Sequence, residues 1–309
     1  MTENSLRVLN TRNVWAADAN AGGAAAKDEK KKTRLVEVVR KSYLPERDAD
    51  KTPILECIDL GISFGGLKAV DNFNLALGRT EIAGLIGPNG AGKTTIFNLL
   101  TKVYQPTHGT ILLDGKDIAY SSTEQVNRAG IARTFQNIRL FHNQSVLDNV
   151  LIGLHNEMHY SMAESILRLP RYWKNEKTAR ERAMEYLSLF HLEEHADEQA
   201  GSLPYGAQRR LEIARALATN PSLLLLDEPA AGMNPSETAE LMENIVKIRD
   251  TFQIAILLIE HDMNLVMNIC EGIAVLNFGR IIAKGSPDDI RANPAVIEAY
   301  LGRKGAQKL

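Results

Sequence analysis

Nine consecutive residues combine glycine, lysine and threonine in a pattern that binds phosphate. In order they are Gly87, Pro88, Asn89, Gly90, Ala91, Gly92, Lys93, Thr94 and Thr95. Their spacing fits the P-loop, G-x-x-x-x-G-K-[ST], in which glycines let backbone N–H groups turn inward around a phosphate. The lysine of such a loop reaches the β- and γ-phosphates, and the hydroxyl after it ligates Mg²⁺. We therefore predict that this loop binds a nucleotide, with Lys93 on its phosphates and Thr94 on Mg²⁺.

The residues on either side of this loop supply the structural context that the motif needs. The apolar run Ile82–Ile86 precedes the loop and predicts a buried strand. Ile96, Leu99 and Leu100 follow at helical spacing and predict a helix that begins at the loop. Such a helix directs the positive end of its dipole toward the phosphate. The alternative, a glycine-rich turn with a chance lysine, does not explain this strand–loop–helix order.

Two adjacent carboxylates follow a second apolar run. Four leucines at 223–226 predict a strand that is buried on both faces, and Asp227 and Glu228 come directly after them. Ligands of open parallel sheets bind at the carboxyl ends of the strands. We predict that Asp227 holds Mg²⁺ through water and that Glu228 orients or deprotonates an attacking water. The alternative is a strand that ends in two solvated acidic residues.

Three further residues could act on a nucleotide, but each is ambiguous by itself. Phe64 is either a platform on which adenine stacks or an ordinary core or edge aromatic residue. Gln136, taken alone, is best interpreted as a surface residue. His261 follows an apolar run at 254–259, where it either reaches a γ-phosphate or occupies a surface turn. The roles of all three depend on what the fold places beside them.

Strand and helix patterns alternate along the chain and predict an α/β fold with a mostly parallel sheet. The strand pattern at 254–259 follows a helical pattern at 237–249. Residues 273–277 and 281–284 predict a hairpin. The pairs Ser286-Pro287 and Asn293-Pro294 predict the first residues of two closing helices, because proline fits the first turn of a helix.

Composition divides the chain into regions. Residues 1–50 are poor in large apolar side chains and contain a charged run at 27–34, which predicts a mobile extension with a short helix at 35–39. A folded domain is expected over 51–303, with a helical insertion over about 142–210 that Pro170 interrupts. A C-terminal helical tail is expected over 287–309.

Charge and apolar content limit the classes of partner. A net charge of -2 over 309 residues provides no general attraction to nucleic acid, so no nucleic-acid partner is predicted. No apolar run approaches the roughly 18–20 residues of a membrane span, so a membrane role is expected to come through a partner. Cys57 and Cys270 lie far apart and predict reduced, structural thiols of a cytosolic protein.

The order and spacing of these motifs resemble the ATP-binding subunit of an ABC transporter over about 53–303. The matching features are, in order, Phe64, the P-loop, Gln136, residues 203–208, residues 223–228 and His261. The resemblance implies an ABC-ATPase core of the P-loop NTPase class, with an antiparallel β subdomain and a helical insertion, and ATP and Mg²⁺ as cofactors. It further implies that Phe64 stacks on adenine and that Gln136 senses both Mg²⁺ and a membrane partner. Glu228 is then the catalytic base and His261 a switch residue.

Three stretches resemble more narrowly the branched-chain amino acid importers, namely 208–215, 227–235 and 293–301. This resemblance implies an ATP-hydrolysing subunit that powers the import of branched-chain or other hydrophobic amino acids. It implies as partners a second ABC ATPase subunit in a heterodimer, two membrane permease subunits and a periplasmic solute-binding protein, at the cytoplasmic face of the inner membrane. Urea and lipopolysaccharide transporters are the alternatives, together with a non-transport ABC ATPase, a class that usually carries two nucleotide domains.

Residues 203–207 occupy the place of the family signature L-S-G-G-Q but depart from it. Pro204 replaces the serine, Tyr205 the first glycine and Ala207 the glutamine, whereas Gly206 is kept. The resemblance implies that this segment, through Gly206, contacts the γ-phosphate of a nucleotide bound to the partner chain. Because proline offers neither a hydroxyl nor an N–H, we expect unequal sites in a heterodimer. The alternative is that the remaining donors suffice.

Overall fold

The computed structural model describes residues 52–157, 164 and 166–301. The predicted N-terminal extension, its short helix and the last residues of the predicted tail lie outside the described residues. The strands are β1 Leu55–Phe64, β2 Leu67–Leu77, β3 Ile82–Ile86, β4 His108–Leu113, β5 Lys116–Asp117, β6 Ile131–Arg133, β7 Leu223–Asp227, β8 Ala255–Ile259, β9 Gly272–Asn277 and β10 Arg280–Gly285. The helices are α1 Lys93–Leu100, α2 Thr123–Arg128, α3 Val146–Leu154, α4 Pro170–Leu189, α5 Tyr205–Ala218, α6 Pro235–Phe252, α7 Met263–Ile269, α8 Pro287–Arg291 and α9 Pro294–Leu301.

A six-stranded sheet organises the chain, in the order β10-β9-β3-β8-β7-β6. Every neighbouring pair in it is parallel except the β9–β10 hairpin. β8 lies between β3, which leads into the P-loop, and β7, which leads into Asp227 and Glu228. Since parallel strands end at the same edge of a sheet, this order brings the loop and the carboxylates to one edge.

Alternate residues of the central strands supply two separate cores. Leu224 and Leu226 of β7 pack with Ile256 and Leu258 of β8 on one face of the sheet, in the core that contains α3, α5 and α6. Leu223 and Leu225 pack on the other face, in the core shared with α1 and the antiparallel sheet. Both faces are covered because neighbouring side chains of a strand point in opposite directions. The continuous leucine run is the sequence pattern of such a strand.

A second, four-stranded sheet is antiparallel, in the order β2-β1-β4-β5. Cys57 of β1 lies between Leu75 of β2 and Ile111 of β4, and all three side chains are buried. Burial raises the pKa of the Cys57 thiol to about 12. This thiol is therefore unreactive at neutral pH, in line with the expected structural role.

Several helices begin where the sequence pattern places them. Ser286 caps α8, with Pro287 as its first residue, and α9 begins at Pro294. Pro170, expected to interrupt the helical region, is the first residue of α4, where a missing N–H leaves no helical bond unmade. Within the described part of the chain, no helix has both the length and the apolar character needed to cross a bilayer. The predicted fold class is confirmed.

Because β7 is buried on both faces, truncating one of its leucine side chains should strongly destabilise the fold. Leu224 is 0% exposed, so Leu224→Ala should lower the free energy of unfolding by about 2–5 kcal/mol. Leu67→Ala is the matched control, since Leu67 also lies in a strand but is 71% exposed and should change stability by less than about 0.5 kcal/mol. Urea unfolding followed by circular dichroism measures both. Equal midpoint shifts in the two variants would contradict this description of the core.

Candidate functional site

The P-loop turns tightly between β3 and α1, and its glycines permit the turn. Gly87 has φ 151°, and a side chain there would meet the carbonyl oxygen of Leu276 at 2.0 Å. Gly92 has φ 107°, and a side chain there would meet the carbonyl oxygen of Ala69 at 2.9 Å. At Gly90, by contrast, an added side chain would meet nothing within 4 Å. The loop is thus packed from behind and open on the side of Gly90, as a phosphate cradle requires.

Lys93 is folded against this loop. Its Nζ donates to the carbonyl oxygens of Gly87 at 2.7 Å and Pro88 at 3.1 Å. Burial lowers the pKa of Lys93, while the carboxylates of Glu228 and Asp227 oppose that shift. The ammonium group therefore lies in the field of both predicted acidic residues. A phosphate in the cradle would gain a positive charge that is already positioned.

The N-terminus of α1 is available to an anion. Gly92 precedes the helix and makes no side-chain cap to its first turn, so the first N–H groups have no partner from that cap. Thr94 lies exposed in this turn and Thr95 is half-buried. In the loop before this turn, Asn89 is exposed and Ala91 is buried. The structure thus places all the predicted P-loop residues in one loop and helix start.

Asp227, at the end of β7, forms a buried ion pair. Its Oδ2 accepts a hydrogen bond from Arg133 Nη2 at 2.7 Å, and the two side chains are 3% and 5% exposed. Arg133 also donates to Asn98 Oδ1 of α1 at 2.7 Å. The arginine therefore ties the carboxylate to the helix that leaves the P-loop. The leucine run predicted the position of Asp227 but carried no sign of Arg133, because the two residues are distant in sequence.

Glu228 is brought together with the two other predicted catalytic residues. Gln136 Nε2 donates to Glu228 Oε2 at 2.7 Å, and His261 Nδ1 lies 3.9 Å from the same oxygen. Glu228 adopts φ 48°, a left-handed conformation that costs a residue with a side chain of the order of 1–3 kcal/mol. Its own N–H donates to the carbonyl of Ile259 in β8 at 2.9 Å. Strain of this kind is typical of functional positions.

A buried carboxylate, Glu260, fixes the loops around Glu228. Its Oε1 accepts from the N–H of Ala230 at 2.8 Å, and its Oε2 accepts from the N–H of His261 at 3.0 Å and of Asp262 at 3.3 Å. Burial raises the pKa of Glu260, and these hydrogen bonds oppose the rise. The loop after β7 and the loop after β8 are therefore joined through one side chain. Glu260 directly follows the apolar run at 254–259, and this position could have indicated its role from the sequence.

Two predicted nucleotide-binding residues lie outside the P-loop and the loops around Glu228, Phe64 in β1 and Gly206 in α5. Phe64 ends β1, is 45% exposed, and meets the ring of Tyr104 edge-on at a centroid distance of 5.3 Å. Tyr104 follows the C-terminal end of α1, so the exposed ring contacts the segment that leaves this helix. Gly206 is buried in the first turn of α5, where an added side chain would meet Glu237 Oε1 at 2.8 Å.

The C-terminal tail contributes a contact that the sequence analysis did not predict. Burial raises the pKa of the Tyr300 phenol in α9, and the nearby backbone of Gly87 opposes the rise. The carbonyl of the same glycine accepts from Lys93. The first residue of the P-loop thus accepts a hydrogen bond from Lys93 and lies close to the helical tail.

Comparison with known proteins identifies the family. Residues 70–231 match the ABC transporter family, and residues 280–306 match the branched-chain amino acid ATP-binding cassette transporter family. The high-affinity branched-chain amino acid transport ATP-binding protein LivG of Escherichia coli strain K12 is 49% identical over 250 residues, which cover 81% of this chain and 98% of LivG. Its counterpart BraF of Pseudomonas aeruginosa is 47% identical with the same coverage.

Solved structures agree with the sequence relatives. The ADP conformation of MJ1267, an ATP-binding cassette of an ABC transporter, is 30% identical with a TM-score of 0.71, covering 82% of this chain and all of that one. A nucleotide-free ATP-binding cassette from an ABC transporter is 30% identical with a TM-score of 0.70, covering 81% and 99%. With the phosphate loop, the acidic strand end and these relatives in agreement, the chain belongs to the ATP-binding subunits of the ABC transporter family.

Proposed function

We propose that this chain hydrolyses ATP to power the import of branched-chain or other hydrophobic amino acids through a membrane permease. The observation that carries the ATPase proposal is the cluster of Glu228, Gln136 and His261 beside the open P-loop. The solute class is supported by the names of the relatives and by the match of residues 280–306. In this proposal the site contacts ATP and not the solute, which the permease and the solute-binding protein contact instead.

The P-loop residues bind and orient the triphosphate. In this proposal, Lys93 and the first N–H groups of α1 take the β- and γ-phosphates, and adenine stacks on Phe64. Thr94, Gln136 and Asp227 are oxygen donors of the kind that Mg²⁺ prefers, so they would hold it, Asp227 through water. When bound, Mg²⁺ neutralises charge on the β- and γ-phosphate oxygens.

Glu228 then activates the attacking water. The carboxylate accepts a proton from water as the water oxygen bonds to the γ-phosphorus and the bond to the ADP oxygen breaks. Gln136 fixes one carboxylate oxygen at 2.7 Å, which directs the other oxygen of Glu228 toward the water. His261 lies on the exposed side of Glu228, where it can contact the γ-phosphate as ATP binds.

The proposed assembly contains a second ABC ATPase subunit, two permease subunits and, indirectly, a periplasmic solute-binding protein, at the cytoplasmic face of the inner membrane. Pro204 and Tyr205 support the ATPase dimer, because both are exposed at the N-terminus of α5, where no side chain caps the helix. A nucleotide on another chain could approach Gly206 from this side. No nucleic-acid partner is proposed.

The role of Glu228 as base predicts a strong loss of turnover on removal of its charge. Glu228→Gln should bind ATP and lower the hydrolysis rate by roughly 10²–10⁴-fold, the usual contribution of a general base. An ATP-stabilised dimer is expected on size-exclusion chromatography. Glu243→Gln is the control, because Glu243 is exposed on α6. Normal hydrolysis by the Glu228 variant would exclude this residue as the base.

The solute class is tested by transport. The chain, its second ATPase and the permeases encoded beside them should be reconstituted in proteoliposomes with the solute-binding protein. We expect ATP-dependent uptake of leucine, isoleucine or valine, because the relatives LivG and BraF carry that name and residues 280–306 match the branched-chain amino acid cassette family. The same vesicles containing Glu228→Gln are the control and should accumulate none. Uptake of urea with no uptake of these amino acids would overturn the proposed solute.

The altered signature predicts unequal ATPase sites. Pro204 has no N–H, and loss of one donor to a transition-state anion can cost about 3–4 kcal/mol. The site that combines this chain's Glu228 with the signature of the partner should therefore carry most of the hydrolysis. Replacing the catalytic glutamate in one subunit at a time should give a large loss for this chain and a small loss for the other. Equal losses would show that the remaining donors suffice.

A further inference from the structure

Two charged side chains of α5 are almost completely buried. Arg209 and Glu212 are 2% and 1% exposed and form an ion pair with 3.2 Å between Arg209 Nη1 and Glu212 Oε2. They are three residues apart, so they share one face of the helix. Burial of both charges is costly unless their hydrogen-bonding groups find partners. The partners they find are in another segment of the chain.

That segment is the backbone around Gln136. Arg209 Nη1 donates to the carbonyl of Phe135 at 2.6 Å, and Arg209 Nη2 donates to the carbonyl of Gln136 itself. Glu212 Oε1 accepts from the N–H of Arg139 at 3.2 Å and from the N–H of Phe135 at 3.4 Å. The arginine thus takes the carbonyl groups of this loop and the glutamate takes its N–H groups.

Arg209 also contacts the exposed first residue of α5. Arg209 Nη2 also donates to the hydroxyl of Tyr205 at 3.2 Å. The Tyr205 ring packs on Gly232, where an added side chain would lie 3.2 Å from the ring. Gly232 belongs to the loop that follows Glu228. Tyr205 therefore touches both the arginine that holds the Gln136 loop and the loop that carries Glu228.

We propose that Arg209 and Glu212 are positioning residues that make the distance between Gln136 and Glu228 depend on the start of α5. A partner that engages Tyr205 or Gly206 would move Gln136 through this pair and so set the hydrolysis rate at Glu228. An apolar pair could hold α5 in place at a lower desolvation cost. The pair instead bonds backbone carbonyl and N–H groups of the segment 135–139, which packing of α5 alone would not require. The inference rests on the proposed ATPase function.

The test uses a conservative variant. Arg209→Lys keeps the charge but loses the planar fork, whose two Nη atoms together reach the carbonyls of Phe135 and Gln136, the carboxylate of Glu212 and the hydroxyl of Tyr205. We expect at least a tenfold fall in kcat with the KM for ATP within twofold, and faster amide exchange in the segment 135–139. Arg210→Lys is the matched control, because Arg210 is the next residue and pairs with Glu240 at 3.3 Å instead. Glu212→Gln provides a second variant and should affect kcat and the same amides in the same direction.

A double variant separates positioning from stability. If Arg209 acts through Gln136, adding Arg209→Lys to Gln136→Ala should lower kcat little further, since sites that act as a unit are not additive. Fully additive losses, or a fall in the unfolding midpoint that accounts for the lost activity, would overturn the proposal. Unchanged exchange at 135–139 in Arg209→Lys would overturn it whether or not the protein is active. These rates are measured on the transporter assembled with its second ATPase subunit, and an inactive wild-type assembly would instead refute the proposed ATPase function.

Discussion

The parallel pairing of β3, β8 and β7 is the constraint on which the site depends. Each of these strands is buried on both faces, so the two cores fix its position and register. A shift of one residue in β7 would exchange its two faces and move Glu228 away from Gln136. The hydrogen bond between these side chains is 2.7 Å long. Apolar packing inside the sheet thus sets the geometry of the polar groups at its edge.

Buried charges then connect the loops that the sheet brings together. Arg133 joins Asp227 to α1, Glu260 joins the loops after β7 and β8, and Arg209 with Glu212 joins α5 to the Gln136 loop. Loops normally place their backbone groups in water. Here buried charged side chains, instead of water, bond the backbone groups of the loops. A buried charge that loses its partner is strongly destabilising. The loops are therefore held in defined positions before ATP arrives.

The sequence predicted the parts of this site that local pattern determines. The P-loop, Glu228 and His261 follow apolar strands, and an apolar run followed by a polar residue is visible without a structure. Arg133, Arg209 and Glu212 could not be found this way, because their burial depends on contacts across many residues of sequence. Gln136 lies between these two cases. Its local sequence favoured an ordinary surface residue, and only its contact with Glu228 gives it a candidate role.

The starts of α1 and α5 both lack a side-chain cap but differ in what surrounds them. α1 begins beside Lys93 and near Asp227 and Glu228, so it has the groups needed to bind and cleave a phosphate. α5 begins at exposed residues, Pro204 and Tyr205, and neither of these carries a charge or a carboxylate. Its positive dipole end can attract a phosphate, while the carboxylate of Glu237 beside it packs on the buried Gly206. A second chain that supplies the nucleotide and the base would complete an ATP site at the start of α5. This requirement explains why the subunit would act in a dimer.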